Sequence, residues 1–117
     1  MADTLAATLT VTPTEEGLEL TLTVENVGDD AVDCSFADGQ RAEFVAVDAD
    51  GAEAWRWSDD RGFAMALGNE TLAPGETVAY DAVWASPPAG EYEVTGSLAA
   101  TDAAASATMT VVVPGGR

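Results

Sequence analysis

Apolar and polar residues alternate without interruption from Leu18 to Glu25, with leucine or valine at every even-numbered position. Since successive side chains of a β-strand point to opposite faces, this pattern predicts an antiparallel strand with one buried and one solvated face. The same period runs from Leu5 to Val11, where we expect Pro13 to end the strand, and from Val78 to Trp84. Such a chain buries its apolar side chains by stacking sheets, so we expect an all-β fold.

Turn sequences separate these runs at near-regular intervals. They are Asn26–Asp30, Asp50-Gly51, Leu72–Glu76 and Ser86–Gly90. The Gly and Pro residues in them supply the backbone angles that tight turns need. Seven to nine short strands with no long helical pattern predict a single immunoglobulin-like antiparallel β-sandwich. We expect one domain over residues 1–117, with its core at about residues 5–113 and a flexible tail at 114–117.

A central hairpin is predicted around the Asp50-Gly51 pair, because Gly adopts the positive φ of such turns at little steric cost. The strand before the turn is Ala42–Asp48, and the return arm carries two tryptophans. By the two-residue period of a strand, Trp55 and Trp57 point to one face and Arg56 points to the other. The hairpin therefore presents two large aromatic rings side by side.

Tyr92 lies two residues after Gly90, at the start of a late strand. This is the arrangement of the tyrosine corner of immunoglobulin-like domains, in which the hydroxyl group binds the preceding loop. The cysteine pair of antibody domains is missing, since Cys34 is the single cysteine of the chain. We expect Cys34 to be buried as a small hydrophobic residue.

Charge is the strongest compositional signal. The chain has 21 acidic residues, four arginines and no lysine, for a formal net charge of −17. Such a charge excludes nucleic acid and anionic membranes as partners. It serves either solubility alone or adaptation to molar salt, where the Debye length falls to about 3 Å and self-repulsion is screened. The absence of lysine favours high intracellular salt, as in a haloarchaeal protein, and the N-terminus shows no signal peptide, so we expect a cytoplasmic location.

The residue types needed for most catalytic chemistry are missing. No histidine is present, which excludes histidine-based triads and histidine metal ligands, and a single cysteine excludes the usual thiolate zinc sites. Adjacent carboxylates such as Asp29-Asp30 and Asp59-Asp60 are expected by chance in so acidic a chain. We predict a protein that is not an enzyme and that binds neither cofactor nor metal.

The aromatic side chains have two interpretations. In the first, they fill the core between the sheets; these residues are Phe36, Phe44, Trp55, Trp57, Tyr80, Trp84 and Tyr92. In the second, one or two of them contact a partner together with neighbouring loop residues; the candidate contacts are Trp57, Asp59, Arg61, Phe63, Pro87 and Pro88. Residues 58–71 are the least regular part of the chain and could hold a short strand or a helical turn near Phe63, Met65 and Leu67.

An ordered series of short motifs spans most of the chain. The motifs are Leu22–Asn26, Phe36–Gln40, Phe44–Asp48, Gly51, Trp55–Ser58, Phe63, Leu72–Glu76, Trp84 and Gly90–Tyr92. In this order they resemble the intracellular proteinase inhibitor family typified by BsuPI. One departure is Ala42-Glu43-Phe44, where family members usually carry Tyr-Asp-Phe. The resemblance implies an immunoglobulin-like β-sandwich, a cytoplasmic location and inhibition of an intracellular serine protease.

Two functions from different classes remain open at this point. In the first, the domain inhibits a protease by inserting a loop, from residues 58–69 or 86–90, into the protease's cleft. In the second, it is an adaptor without inhibitory activity that contacts a partner through a sheet edge or the tryptophan segment.

Overall fold

The computed structural model describes residues 4–60 and 68–114, which contain nine strands and one short 3-10 helix. The strands are β1 (Leu5–Thr14), β2 (Gly17–Asn26), β3 (Val32–Phe36), β4 (Ala42–Asp48), β5 (Glu53–Arg56), β6 (Gly68–Leu72), β7 (Thr77–Ala85), β8 (Gly90–Leu98) and β9 (Ser106–Val113), and the 3-10 helix is Trp57–Asp60. The strand or helical turn expected near Phe63, Met65 and Leu67 lies outside the described residues.

The strands form three antiparallel sheets, with the strand orders β1-β2-β7, β3-β6 and β5-β4-β8-β9. The main core lies between the three-stranded and the four-stranded sheet, because its buried cluster takes side chains from β2 and β7 as well as from β4 and β8. A second cluster of Cys34, Phe36 and Leu98 joins the two-stranded ribbon to β8. The predicted all-β antiparallel sandwich is therefore confirmed.

Burial follows the alternation of the sequence. Leu18, Leu20, Leu22 and Val24 are buried, and the residues between them are partly or fully exposed. Among the aromatic residues, Phe36, Phe44, Trp84 and Tyr92 are buried, whereas Trp55, Trp57 and Tyr80 are half-buried and pack against the core. Cys34 is only 2% exposed, as expected, and burial raises the pKa of its thiol. The core interpretation is confirmed for the four buried rings, and the three half-buried rings pack against the core while part of each stays exposed.

The expectation that Pro13 ends the first strand is wrong, since β1 continues to Thr14. The hydrogen bonds of the ladder explain why. Val27 donates its backbone N–H to the carbonyl oxygen of Thr4, so the even-numbered residues of β1 bond to β2. At the odd-numbered Pro13, a backbone N–H would point to the outer edge of the sheet, where proline removes no ladder bond.

The central hairpin forms at the expected turn. Asp48 donates its N–H to the carbonyl of Ala52 at 2.8 Å, and Gly51 has a φ of +87°. The Asp48 carboxylate also accepts the N–H groups of Asp50 and Ala52, at 2.9 and 3.0 Å. The return strand is shorter than expected, because the 3-10 helix begins at Trp57.

The tyrosine corner predicted from Gly90 and Tyr92 is present. The Tyr92 hydroxyl donates a hydrogen bond to the carbonyl oxygen of Pro88 at 2.9 Å. Gly90 has a φ of +149°, a conformation that residues with a side chain rarely adopt. The loop between β7 and β8 is thus held to the body of the domain by a side chain that is itself buried.

Replacing Tyr92 with phenylalanine removes this hydrogen bond and leaves the ring in place. We expect the free energy of unfolding to fall by about 1 kcal/mol, the usual net contribution of one such bond. Amide hydrogen exchange should also become faster at Ala89 and Gly90 while β2 keeps its protection. Unchanged stability, measured by urea denaturation, would show that the hydroxyl group does not hold the loop.

Candidate functional site

A cleft of about 400 Å³ opens between β4, the 3-10 helix and β7. Its lining includes Phe44 from β4, Trp57 from the 3-10 helix, and Tyr80 and Asp81 from β7. Arg41, which immediately precedes β4, completes the lining with a positive charge. The cleft therefore combines three aromatic rings, one guanidinium group and one carboxylate, and aromatic residues and arginine are enriched in protein-binding surfaces.

Trp57 is held in the cleft by the packing and tethering of the 3-10 helix. Its ring meets Phe44 edge to face, with ring centroids 6.1 Å apart and an interplanar angle of 82°. Glu43 fixes the helix to β4, because its carboxylate accepts hydrogen bonds from the backbone N–H and the hydroxyl group of Ser58. Arg56 adds a longer contact to Glu43 at 3.5 Å. Ring packing and this tether restrict the orientations open to Trp57.

Arg41 is the cation of the cleft and makes three separate interactions. Its Nε donates to Glu70 at 3.0 Å, and its Nη1 donates to the carbonyl oxygen of Asp38 at 2.8 Å. Its guanidinium group also lies over the ring of Phe36, 4.4 Å from the centroid. Arg41 thereby links the turn before β4 to both strands of the β3-β6 ribbon.

Tyr80 shares Glu70 with Arg41, since its hydroxyl group donates to that carboxylate at 3.4 Å. Burial raises the pKa of Tyr80 from 10.0 to about 12, and the negative charge of Glu70 adds to the effect. Both causes act by disfavouring the phenolate form.

Stability should accordingly depend on pH in the alkaline range. The folded protein keeps the Tyr80 proton at pH values where the unfolded chain has lost it, so the stabilisation is complete below pH 10 and is lost between pH 10 and about 12. Tyrosinate absorbance during an alkaline titration should show one group ionising late, and the Tyr80→Phe variant should lack that step. A single step near pH 10 in the wild-type protein would contradict the expectation.

The structure does not bring the predicted contact residues into one site. Trp57 lies in the cleft, and Asp59 is exposed on the same 3-10 helix. Pro87 lines a different groove, together with Glu15 and Glu16, and Pro88 is exposed next to it. The two remaining candidates, Arg61 and Phe63, lie outside the described residues. A contact role for all six stays a prediction.

Three cleft residues were not anticipated as a group from the sequence. Arg41, Tyr80 and Asp81 come from separate parts of the chain, and only the folding of β7 beside β4 brings them to Trp57. For Arg41 the sequence offers one weak signal. The chain has only four cationic residues against 21 acidic ones, so each arginine is a candidate for a specific role. For Tyr80 and Asp81 the alternation predicts only which residue faces inward.

The sequence model of one protein family matches residues 5–103; its description is BsuPI, intracellular proteinase inhibitor. The match runs from the first residue of β1 through β8. The chain belongs to this family. For the BsuPI-family domain, membership implies a protease as partner and a non-catalytic role. No curated protein sequence matches the chain.

Solved structures share the fold of the BsuPI-family domain at 13% sequence identity. β-Glucuronidase 2 of Bacteroides uniformis, bound to cyclophellitol-6-carboxylate aziridine, has a TM-score of 0.51 over 93% of this chain and 14% of the glucuronidase. The Northeast Structural Genomics Consortium target SoR45 has a TM-score of 0.54 over 96% and 89% of the two chains. The penta-heme cytochrome c552 of Thermochromatium tepidum has a TM-score of 0.53 over 91% and 40%. At this identity the likeness shows the fold alone.

Among the described residues, no helix is both long enough and apolar enough to cross a membrane.

Proposed function

We propose that this BsuPI-family domain is a cytoplasmic, non-catalytic protein that binds an intracellular serine protease and inhibits it by inserting a loop into the protease's cleft. The observation that carries the proposal is the family match over residues 5–103. The residue types of the chain support it. The chain has no histidine and its one cysteine is buried, so histidine-based triads and an exposed cysteine nucleophile are excluded, which favours a binding role.

The loop between β7 and β8 has a property that such an inhibitor needs, which is order before binding. Pro87 and Pro88 each restrict one backbone angle, and Tyr92 binds the carbonyl group of Pro88. Ser86 has a φ of +53° at the start of the loop. A loop that is already ordered loses less conformational entropy when it enters a protease cleft.

The 3-10 helix and the residues after it offer the second candidate contact. Trp57 is half-buried and Asp59 is exposed, so the segment displays an aromatic ring next to a carboxylate. Large aromatic side chains that stay partly exposed are the residues that most often dominate binding energy at protein interfaces.

The proposal is tested by titrating the protein against a subtilisin-like protease and against intracellular serine proteases. We expect proteolysis of a small chromogenic substrate to fall in proportion to added protein, with the added protein remaining intact by mass spectrometry. The double variant Pro87→Ala, Pro88→Ala and the variant Asp59→Ala separate the two loops, and Glu25→Ala, on an exposed strand position, is the matched control. Undiminished proteolysis at equimolar protein would sink the proposal.

A second candidate function is an adaptor that binds a partner without inhibiting it. The cleft favours this candidate, because Trp57, Tyr80 and Arg41 form a composite surface on a different groove from Pro87. Capture of a stoichiometric partner from native cytosol by the wild-type domain, but not by Trp57→Ala, would support it. A captured partner with protease activity that falls on binding would favour inhibition instead.

We also propose that the domain is adapted to high intracellular salt. In the described part of the chain, ion pairs join Arg41 to Glu70 and Arg56 to Glu43 and Glu53, which leaves most carboxylates without a cation. Unpaired charges of one sign repel one another, and salt screens that repulsion.

The melting temperature should therefore rise steadily as KCl is increased from millimolar to molar concentrations. A variant in which Glu19, Glu25, Glu91 and Glu93 are replaced by glutamine should melt higher at low salt and respond less to KCl, because these four exposed carboxylates point outward from their sheets. Circular dichroism during thermal unfolding makes the measurement. A melting temperature that is independent of salt in the wild-type protein would contradict the adaptation.

A further inference from the structure

Strand β7 forms the edge of its sheet and, in the part of the chain that the structure describes, pairs only with β2. The hydrogen bonds beyond its two ends set the pattern of the ladder. Asn26 donates its N–H to the carbonyl of Glu76 at 3.0 Å, and Ser86 donates its N–H to the carbonyl of Glu16 at 3.0 Å. Glu76 and Ser86, which flank β7 in the chain, both have even numbers. The pairing of β2 with β7 between these two residues has no register shift.

Because bonded and non-bonded pairs alternate in an antiparallel ladder, the even-numbered residues of β7 bond to β2. The odd-numbered residues point their N–H and C=O groups to the opposite edge. This edge is made by the backbone of Thr77, Ala79, Asp81, Val83 and Ala85. The side chains of all five are exposed.

Within the described residues, β7 lacks most of the usual protections of an edge strand. Proteins protect such edges with lysine, proline, bulges or short strands. Strand β7 has nine residues, contains neither lysine nor proline, and pairs with β2 without a register shift. Its one charged residue is Asp81, whose carboxylate accepts a hydrogen bond from Thr21 at 2.8 Å, and Val83 remains 39% exposed. A long regular edge of this kind can pair with an additional strand.

We propose that the free edge of β7 binds an extended, positively charged segment of a partner protein as an additional strand. Ala79, Tyr80 and Asp81 of this strand line the aromatic cleft, so a strand added there lies between β7 and Trp57. The inference deepens the proposed function, since it rests on the domain being a protein-binding module and names the surface and the chemistry of the partner.

The two faces of the added strand would have different neighbours. These neighbours determine which residue types the strand should carry on each face. Its inward side chains would face the half-buried Trp57 and Tyr80 and are expected to be apolar. Its outward side chains would lie beside Asp81, close to Glu19 on the neighbouring strand, and are expected to be basic. The preferred occupant therefore alternates basic and apolar residues.

Charge also distinguishes this occupant from a second copy of the chain. Pairing of β7 with β7 of another copy would bring together two molecules with a formal net charge of −17 each. Asp81 near the middle of each strand would add a like-charge contact at the interface. A basic segment gains from the same charges, and its binding should weaken as salt is added.

The probe is a capped eight-residue peptide of alternating arginine and valine, titrated into the isotopically labelled protein at the lowest salt concentration that keeps it folded. We expect the amide signals of Ala79, Asp81 and Val83 to shift. Their hydrogen exchange should slow by about tenfold or more on binding, as expected for amides that gain a ladder partner. The amides of Tyr80 and Ala82 should be protected before and after addition, because they bond to β2.

Two control peptides separate strand pairing from plain charge attraction. A peptide of alternating glutamate and valine should not bind. The arginine–valine peptide with N-methyl groups on its arginine amides keeps its charge but loses the N–H groups that would bond to the odd-numbered residues of β7, and its affinity should fall about tenfold or more. Equal binding of the methylated peptide, or signal changes confined to other surfaces, would overturn the proposal.

The protein variants Ala79→Pro and Ala79→Ser form a matched pair. Proline at this odd-numbered position removes one outward N–H and leaves the bonds to β2 intact, whereas serine keeps that N–H. Peptide binding should be lost in the first and retained in the second. If Ala79→Pro does not fold, the methylated peptide decides the question with the wild-type protein.

The remaining outcomes also separate this proposal from the inhibitor function. Protection of the Ala79 and Asp81 amides in the free protein would show that the edge is already covered, by this chain or by a second copy that sedimentation would detect, and would overturn the proposal. Peptide binding without protease inhibition would support the edge and remove the inhibitor function. Protease inhibition without peptide binding would do the reverse.

Discussion

Replacing Trp84 with alanine is expected to lower the free energy of unfolding by about 3–5 kcal/mol. Trp84 is 4% exposed and lies between two other rings. Its ring stacks on Trp55, with centroids 5.3 Å apart and planes 10° apart, and it meets Tyr92 edge to face at 4.9 Å. The substitution would leave a cavity where β7, β5 and β8 meet, between the rings of Trp55 and Tyr92.

The control for Trp84 is its neighbour on the same strand. Val83→Ala removes an exposed side chain on the outward face and should change stability by about 0.5 kcal/mol or less. Urea denaturation followed by circular dichroism measures both variants under one salt condition. A loss below about 1 kcal/mol for Trp84→Ala would mean that the three rings do not form a packed unit.

Replacing Gly17 with alanine is expected to destabilise the protein by about 2–5 kcal/mol, combining backbone strain with forced displacement of the main chain at the end of β7. Gly17 begins β2 with a φ of +148°. A Cβ atom there would overlap the carbonyl oxygen of Trp84 and would lie 3.0 Å from the backbone nitrogen of Ser86. Because both neighbours are main-chain atoms of a paired segment, neither can move without distorting the ladder.

Gly51→Ala is the matched control for this steric effect. Gly51 also has a positive φ, +87°, but nothing lies within 4 Å of the place that a Cβ would occupy. Its replacement should cost about 1–2 kcal/mol, the cost of the left-handed conformation alone. Thermal unfolding of both variants gives the comparison. If both variants lost the same stability, the close approach of Gly17 to Trp84 would not contribute to the cost of the substitution.

The strands could be predicted from the sequence because burial in a two-sheet fold follows a local period. The alternation from Leu18 to Val24 appears unchanged in the burial of β2. The turn at Gly75 could also be predicted from adjacent residues alone, and Gly75 has the positive φ, +81°, that such a turn requires. Pro13 was misjudged, because its effect depends on which residues of β1 bond to β2 and not on its own neighbours.

The candidate site was predicted only in part. The sequence marks Trp57 as a large aromatic residue after a turn, and the structure places it on the wall of a cleft. The partners of Trp57 in that cleft follow from long-range packing, which no local pattern encodes. Pro87 and Pro88 were recognisable as a turn, but they lie on a different groove from Trp57. Their contact role, like that of Asp59, Arg61 and Phe63, awaits the protease titration.

The sequence by itself determined that this protein is an acidic all-β domain without histidine chemistry. These properties depend on composition and on a two-residue period, both of which are local. Only the tertiary structure decided that β7 is an edge strand among the described residues, that its odd-numbered backbone groups point away from β2, and that Arg41, Trp57 and Tyr80 share one cleft. The physical reason is that strand order and ladder register arise from contacts between residues far apart in the chain.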